Sequence, residues 1–130
     1  MHELTVADRV WNRACQGGGD SPRAGDSALA ALLLFHGAAM NGGVLHAVES
    51  LSPDELAGAL AGYGCFGYKG IAKLIRTALD AIQRDQDLDS LEAKLDQEYW
   101  SQIPDDGVLV KAFEVHYEAT PQEYSPLVGD

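Results

Sequence analysis

Apolar residues recur at helical spacing along most of this chain, and this pattern constrains the fold more than any other feature. Its clearest example is the series Ile71, Leu74, Ile75, Ala78, Leu79 and Ile82. This spacing places all six side chains on one face of a helix. Alternation typical of strands is nearly absent, and 130 residues suit one ordinary domain. We therefore predict a single compact all-α domain of about six helices over residues 1–130.

Short polar patterns predict where the helices begin and end. Three pairs match the capping box: Thr5 with Asp8, Ser52 with Glu55, and Asp89 with Glu92. Another helix is predicted from about Ser27 to Met40, with Asp26 or Ser27 as its cap. The residues Asn41, Gly42 and Gly43 are predicted to form a tight turn between two helices, in which glycine supplies a positive φ. Residues 62–67 are rich in glycine and are predicted to be a loop.

Negative charge is concentrated in the last two-fifths of the chain. The sequence has 20 acidic and 9 basic residues, which gives a formal net charge of −11. Residues 1–79 contain 7 acidic and 6 basic residues, whereas residues 80–130 contain 13 acidic and 3 basic residues. Nucleic-acid phosphates and anionic membranes repel such a protein. We therefore expect no direct binding to nucleic acid and none to a membrane.

The ends and the cysteines predict a cytoplasmic protein. The most apolar run, Ala28 to Met40, has about 13 residues, whereas a membrane-spanning helix needs roughly 20. The first residues lack the basic and apolar regions of a signal peptide. Cys15 and Cys65 are expected to be reduced thiols, because a disulfide between them would need an oxidising compartment.

Six carboxylates in the acidic region are the predicted partner-binding residues: Asp85, Asp87, Asp89, Glu92, Asp96 and Glu98. Intervals of three and four residues put four of them on one face of a helix, if the helix extends back to Asp85. Helix capping and the helix dipole account only for acids in the first turn. Ten net charges on one side would give about half the charge density of duplex DNA. An ordinary solvated acidic surface is the alternative.

No pattern in the sequence predicts catalysis, a metal or a cofactor. His36, His46 and His116 do not have metal-ligand spacing, and His36 is expected in the core or an interface. Cys65 would be a nucleophile only if a histidine approached it in the fold. Asp105-Asp106 is expected to cap a helix and not to bind a metal. We expect no catalytic residue, no metal and no cofactor.

Two stretches of the sequence carry a resemblance to a known family. They are Asn41-Gly42-Gly43 inside an apolar helical region, and residues 91–99, which follow a helix that ends near Ala81-Ile82. Over about residues 27–127 the chain resembles a bacterial domain-of-unknown-function family that includes a DNA-mimic protein, number nineteen in its naming series.

The resemblance implies an all-helical protein without established enzymatic activity. The characterised member of the family is an acidic dimer whose carboxylates imitate DNA phosphates and cover the DNA-binding face of a transcription factor. The resemblance assigns a structural turn to Asn41-Gly42-Gly43 and a helix motif to Leu91, Glu92, Leu95, Asp96 and Tyr99. Where the family usually has aromatic residues after the turn, this chain has Leu-His-Ala-Val at residues 45–48.

Together these observations predict a non-catalytic acidic protein whose partner is a basic protein. The leading hypothesis is a DNA mimic that occupies the nucleic-acid-binding face of a transcription factor or a nuclease. The alternatives are an immunity protein that neutralises a basic toxin and, third, a small hydrolase. Trp100, Ile103 and the aromatic residues of segment 63–68 are candidates for the contact of a homodimer.

Overall fold

The computed structural model describes residues 5–84 and 87–127, and this part of the chain is helical without a strand. It forms α1 (Val6–Cys15), α2 (Ala24–Gly42), α3 (Val44–Ser50), α4 (Pro53–Cys65), α5 (Lys69–Gln83), α6 (Leu88–Gln102), α7 (Asp106–Ala119) and a 3-10 turn (Pro121–Glu123). The predicted all-α class with about six helices is confirmed, with seven α-helices in the described ranges.

Helix α2 lies at the centre of the packing. It contacts α1, α3 and α4, while α5 packs on α3, α4 and α6. Leu32 and Phe35 of α2 share one core with Ile75 of α5 and Tyr99 of α6. Burial of such apolar side chains is the main force that holds the helices together. Ile103, a candidate for a dimer contact, is fully buried in this core, so that role is wrong for it.

The two predicted capping boxes of α1 and α4 are confirmed. Thr5 accepts a hydrogen bond from the Asp8 amide at 3.0 Å, and Ser52 accepts one from the Glu55 amide at 3.1 Å. Each acidic side chain accepts a bond from the amide of its capping residue in return. Both patterns act within three residues, so they can be recognised without knowledge of the tertiary structure.

Two other predicted boundaries are wrong. Helix α6 begins directly after Asp87, which accepts a hydrogen bond from the Asp89 amide at 3.1 Å, so Asp87 and not Asp89 is the cap. Helix α4 continues to Cys65, and residues 62–65 are helical instead of forming a loop. Gly62 explains the second difference, because a side chain there would collide with the Ala28 carbonyl oxygen where α4 crosses α2.

The start of α2 is fastened by a buried ion pair. The helix begins after Arg23, and the predicted cap Asp26 lies inside its first turn. The Asp26 carboxylate is completely buried and accepts hydrogen bonds from Arg13 at 2.8 Å, from the Arg23 amide at 3.0 Å and from the Ser125 amide at 2.7 Å. Arg13 also donates to the carbonyl oxygens of Ser125 and Pro126. The prediction of Asp26 or Ser27 as the cap is therefore wrong, because α2 begins directly after Arg23, although Asp26 still accepts a bond from the Arg23 amide. The Asp26 carboxylate joins α1, α2 and the C-terminal segment.

Candidate protein-binding surface

Four of the predicted carboxylates are exposed along α6 or at its cap. Asp87, Asp89, Glu92 and Glu98 are exposed, and none of the four forms an ion pair with another described residue. Asp87 and Asp89 lie at the N-terminal end of α6, where the helix dipole stabilises negative charge. Asp85 lies outside the described residues.

Asp96 differs from the other four predicted residues that the structure describes. It is half-buried, and its Oδ1 atom accepts a hydrogen bond from the Val44 amide at 2.9 Å. Val44 is the first residue of α3, so Asp96 satisfies one of the free amides at the start of that helix. The structure thus gives Asp96 a partner within the chain.

The turn between α2 and α3 depends on Gly43. Asn41 and Gly42 are the last residues of α2, and Gly43 follows with a φ of 94°. Any other residue at position 43 would have an unfavourable backbone conformation, and its Cβ atom would lie 3.0 Å from an oxygen of Asp96. The Asn-Gly-Gly segment and the acidic helix are therefore in direct contact, and this contact orients α3 against α6.

Helix α3 adds a carboxylate that sequence reasoning missed. Glu49 lines a groove of about 340 Å³ together with His46, Asp89 and Glu92. Glu49 is exposed and forms no ion pair with another described residue. The sequence could not predict this arrangement, because Glu49 is distant from α6 in the sequence and approaches it only through the packing of α3 on α6. We call Glu49, Asp89 and Glu92 the acidic surface. Glu98 is not part of it, because helical spacing puts it on the side of α6 opposite Asp89.

A second polar arrangement is a buried chain of hydrogen bonds around His36. Its Nε2 atom lies 2.8 Å from an oxygen of Asp106, its Nδ1 atom lies 2.7 Å from the Tyr99 hydroxyl, and that hydroxyl lies 2.7 Å from Tyr63. Because a carboxylate only accepts, the ring donates from Nε2 to Asp106, and in the tautomer protonated only at Nε2 the Nδ1 atom accepts the Tyr99 proton. Burial raises the pKa of both tyrosines well above the ordinary value, so both keep their protons. His36 is buried, as the expected position in the core or an interface requires.

The fold brings a histidine to Cys65. The sulfur of Cys65 lies 3.5 Å from Nε2 of His116, whose Nδ1 atom lies 2.8 Å from the hydroxyl of buried Tyr124. Burial raises the pKa of Tyr124, so its hydroxyl keeps a proton to donate to Nδ1. In the tautomer in which Nδ1 accepts this proton, Nε2 carries the ring proton and cannot take one from the thiol.

The thiol of Cys65 is not activated by this contact. Burial, with a smaller contribution from the Glu123 carboxylate, raises the pKa of the thiol above its ordinary value. A nucleophilic cysteine needs the opposite shift. Both Cys65 and Cys15 are free thiols. This geometry does not favour the hydrolase alternative.

The described part of the chain offers neither a metal-binding cluster nor a membrane-spanning helix. No group of three or more His, Cys, Asp or Glu side chains is arranged to hold a metal ion there. Across residues 5–84 and 87–127, none of the helices has the length and apolar character that crossing a membrane requires.

Fold and surface together define a small acidic protein built from helices, with exposed carboxylates on α6 and α3. The chain belongs to the DMP19-like protein family, whose sequence profile matches residues 22–125. This match confirms the resemblance predicted for about residues 27–127. No curated protein and no solved structure matches the chain.

Proposed function

We propose that this protein is a non-catalytic acidic binding protein that mimics DNA. It occupies the nucleic-acid-binding face of a basic protein such as a transcription factor or a nuclease. The observation that carries the proposal is the acidic surface, in which exposed carboxylates of α6 and α3 have no basic partner among the described residues. Membership in the DMP19-like protein family supports the same class of function.

The spacing of the carboxylates supports a comparison with one DNA strand. From Asp87 to Glu98 a helix rises by about 16 Å. One strand of duplex DNA carries roughly five phosphates over that axial length. Over the same length α6 and its cap expose four carboxylates on more than one side of the helix, and the acidic surface itself presents three, Glu49, Asp89 and Glu92. A surface of this density attracts a basic partner and accelerates the encounter, and salt weakens both effects.

The test compares charge at the acidic surface with equal charge elsewhere. The Asp89→Lys/Glu92→Lys variant reverses two central carboxylates and leaves Asp96, which holds α3, unchanged. The matched control is Asp20→Lys/Glu118→Lys, which changes the net charge equally at exposed positions on other elements. Each protein is immobilised and used to capture partners from native lysate at about 50 and 200 mM salt.

We expect the wild type and the control to retain a DNA-binding protein at low salt and to release it at high salt. The α6 variant should retain none, and duplex DNA should compete with the wild type for the captured protein. Equal capture by both variants, or capture that salt does not change, would refute the electrostatic mechanism. Capture of a basic toxin whose activity is suppressed would favour the immunity-protein alternative.

A further inference from the structure

A groove of about 640 Å³ runs along the outer side of α2, next to the end of α1 and the start of α7. Besides His36, helix α2 contributes four small residues and three large apolar residues to it: Ala30, Ala31, Leu33, Leu34, Gly37, Ala38 and Met40. From Ala30 to Met40 the helix rises by about 15 Å, which is nearly three turns. The acidic surface does not include any of these residues, so the groove is a separate feature.

Two properties of the groove have no explanation within the chain. Leu34 and Met40 are 45% and 55% exposed, although they belong to the most apolar helix. Gly37 lies in the helix interior, where glycine is unfavourable, and a side chain there would meet no heavy atom within 4 Å. Bare backbone between two exposed apolar side chains is what a second helix needs for close approach.

The groove also has a defined charge at one end. Among the residues that the structure describes, Asp106 is the only carboxylate that lines it, and no lysine or arginine does so. His36 holds one oxygen of Asp106, and the other oxygen accepts no hydrogen bond from a described residue. A cation entering beside the apolar residues would therefore find a fixed carboxylate with an open oxygen.

The groove adjoins the helix that carries the acidic surface. The ring of His36, which lines the groove, lies 6.3 Å from the ring of Trp100 on α6. Trp100 is itself 37% exposed. One partner can therefore contact the groove and α6 together.

We infer that this groove binds an amphipathic helix of the basic partner. The apolar side chains of the partner helix lie between Leu34 and Met40, and a lysine or arginine of that helix pairs with Asp106. This inference rests on the proposed function and adds the anchor that charge alone does not supply, because long-range attraction raises association rates while buried apolar contacts slow dissociation.

The test uses a fluorescent 18-residue peptide of leucine and lysine with helical apolar spacing, and a scrambled peptide of the same composition. Binding to the full chain is measured by fluorescence anisotropy. The groove variant is Leu34→Gln/Met40→Gln, which keeps the net charge and the helix propensity. Val115→Gln is the matched control, because Val115 is 70% exposed and does not line the groove. Circular dichroism verifies that each variant is folded.

The groove variant should bind the helical peptide about tenfold more weakly, because anchor side chains dominate such contacts. Its binding to the scrambled peptide should not change, and Val115→Gln should bind both peptides like the wild type. The Asp106→Asn variant should bind the helical peptide more weakly, and its binding should depend less on salt. The Leu34→Met/Met40→Leu variant keeps both positions apolar and should bind the helical peptide with the affinity of the wild type.

The inference is overturned if the groove variant loses no more affinity than Val115→Gln. It is also overturned if sedimentation shows that the groove variant turns a dimer into a monomer, since a second copy would then cover the groove. The proposed function has a separate outcome. If Asp89→Lys/Glu92→Lys loses the lysate partner while the groove variant keeps it, the groove assignment fails and the acidic mechanism stands.

Discussion

Replacing Asp26 by asparagine should destabilise the protein by breaking the buried ion pair that joins α1, α2 and the C-terminal segment. The variant keeps the size of the side chain but removes its charge. An asparagine amide would also place N–H groups against either Arg13 or the amides of Arg23 and Ser125, all of which are donors. Removing one member of a buried pair costs about 3–5 kcal/mol. The Arg13 side chain is 19% exposed and keeps some water, which places the expected loss near the lower end, about 3 kcal/mol.

The measurement is urea unfolding followed by circular dichroism. With a denaturant slope of about 1.5 kcal/mol per molar urea, the midpoint should fall by about 2 M. Asp20→Asn is the control, because Asp20 is exposed in the loop between α1 and α2. Hydrogen exchange at the Ser125 amide should accelerate in the Asp26 variant. A loss of less than about 1 kcal/mol relative to Asp20→Asn would refute the assigned role of this ion pair.

Four further predictions concern single residues. Gly43→Ala should destabilise the protein by about 1–3 kcal/mol, since the φ of Gly43 is 94°. Gly37→Ala should stabilise it by about 0.5–1 kcal/mol, because glycine is unfavourable inside a helix. A melting temperature equal to that of the wild type would contradict the prediction for that variant. Tyr99→Phe should cost about 1–3 kcal/mol of unfolding free energy by leaving two buried groups without a partner, and an equal loss in Tyr117→Phe, a half-buried tyrosine, would contradict this. Alkylation of Cys65 should need a higher pH in the folded than in the urea-unfolded protein, because its raised pKa lowers the thiolate fraction. Peptide mass spectrometry measures the pH profile, and a faster folded-state reaction at neutral pH would be the opposite result.

Local patterns predicted the helix starts that depend on residues three positions apart. Thr5 and Ser52 cap their helices as expected because each bond joins neighbours in the sequence. The start of α6 was predicted wrongly because Asp87 and Asp89 are both suitable caps, and no local rule separates them. The role of Asp26 could not be predicted at all, since its partners Arg13 and Ser125 are 13 and 99 residues away.

The candidate binding surface was predictable in part for the same reason. The acidic region and the α6 carboxylates follow from the sequence, but Glu49 reaches Asp89 and Glu92 only through the packing of α3 on α6. Asp96 has the same spacing as its neighbours, yet it bonds to the Val44 amide 52 residues away. Spacing along a helix indicates which residues share a side, but it does not indicate what lies opposite them.

The sequence by itself determined the helical class, the family and the concentration of negative charge in the last two-fifths of the chain. These properties follow from composition and from interactions within about four residues, which are the same in any helix. Only the tertiary structure decided which carboxylates are open to a partner, which are used inside the chain, and that His36 and Asp106 meet beside an apolar groove. Those outcomes depend on which helices touch, and helix contacts are set by the summed burial of many side chains distant in sequence.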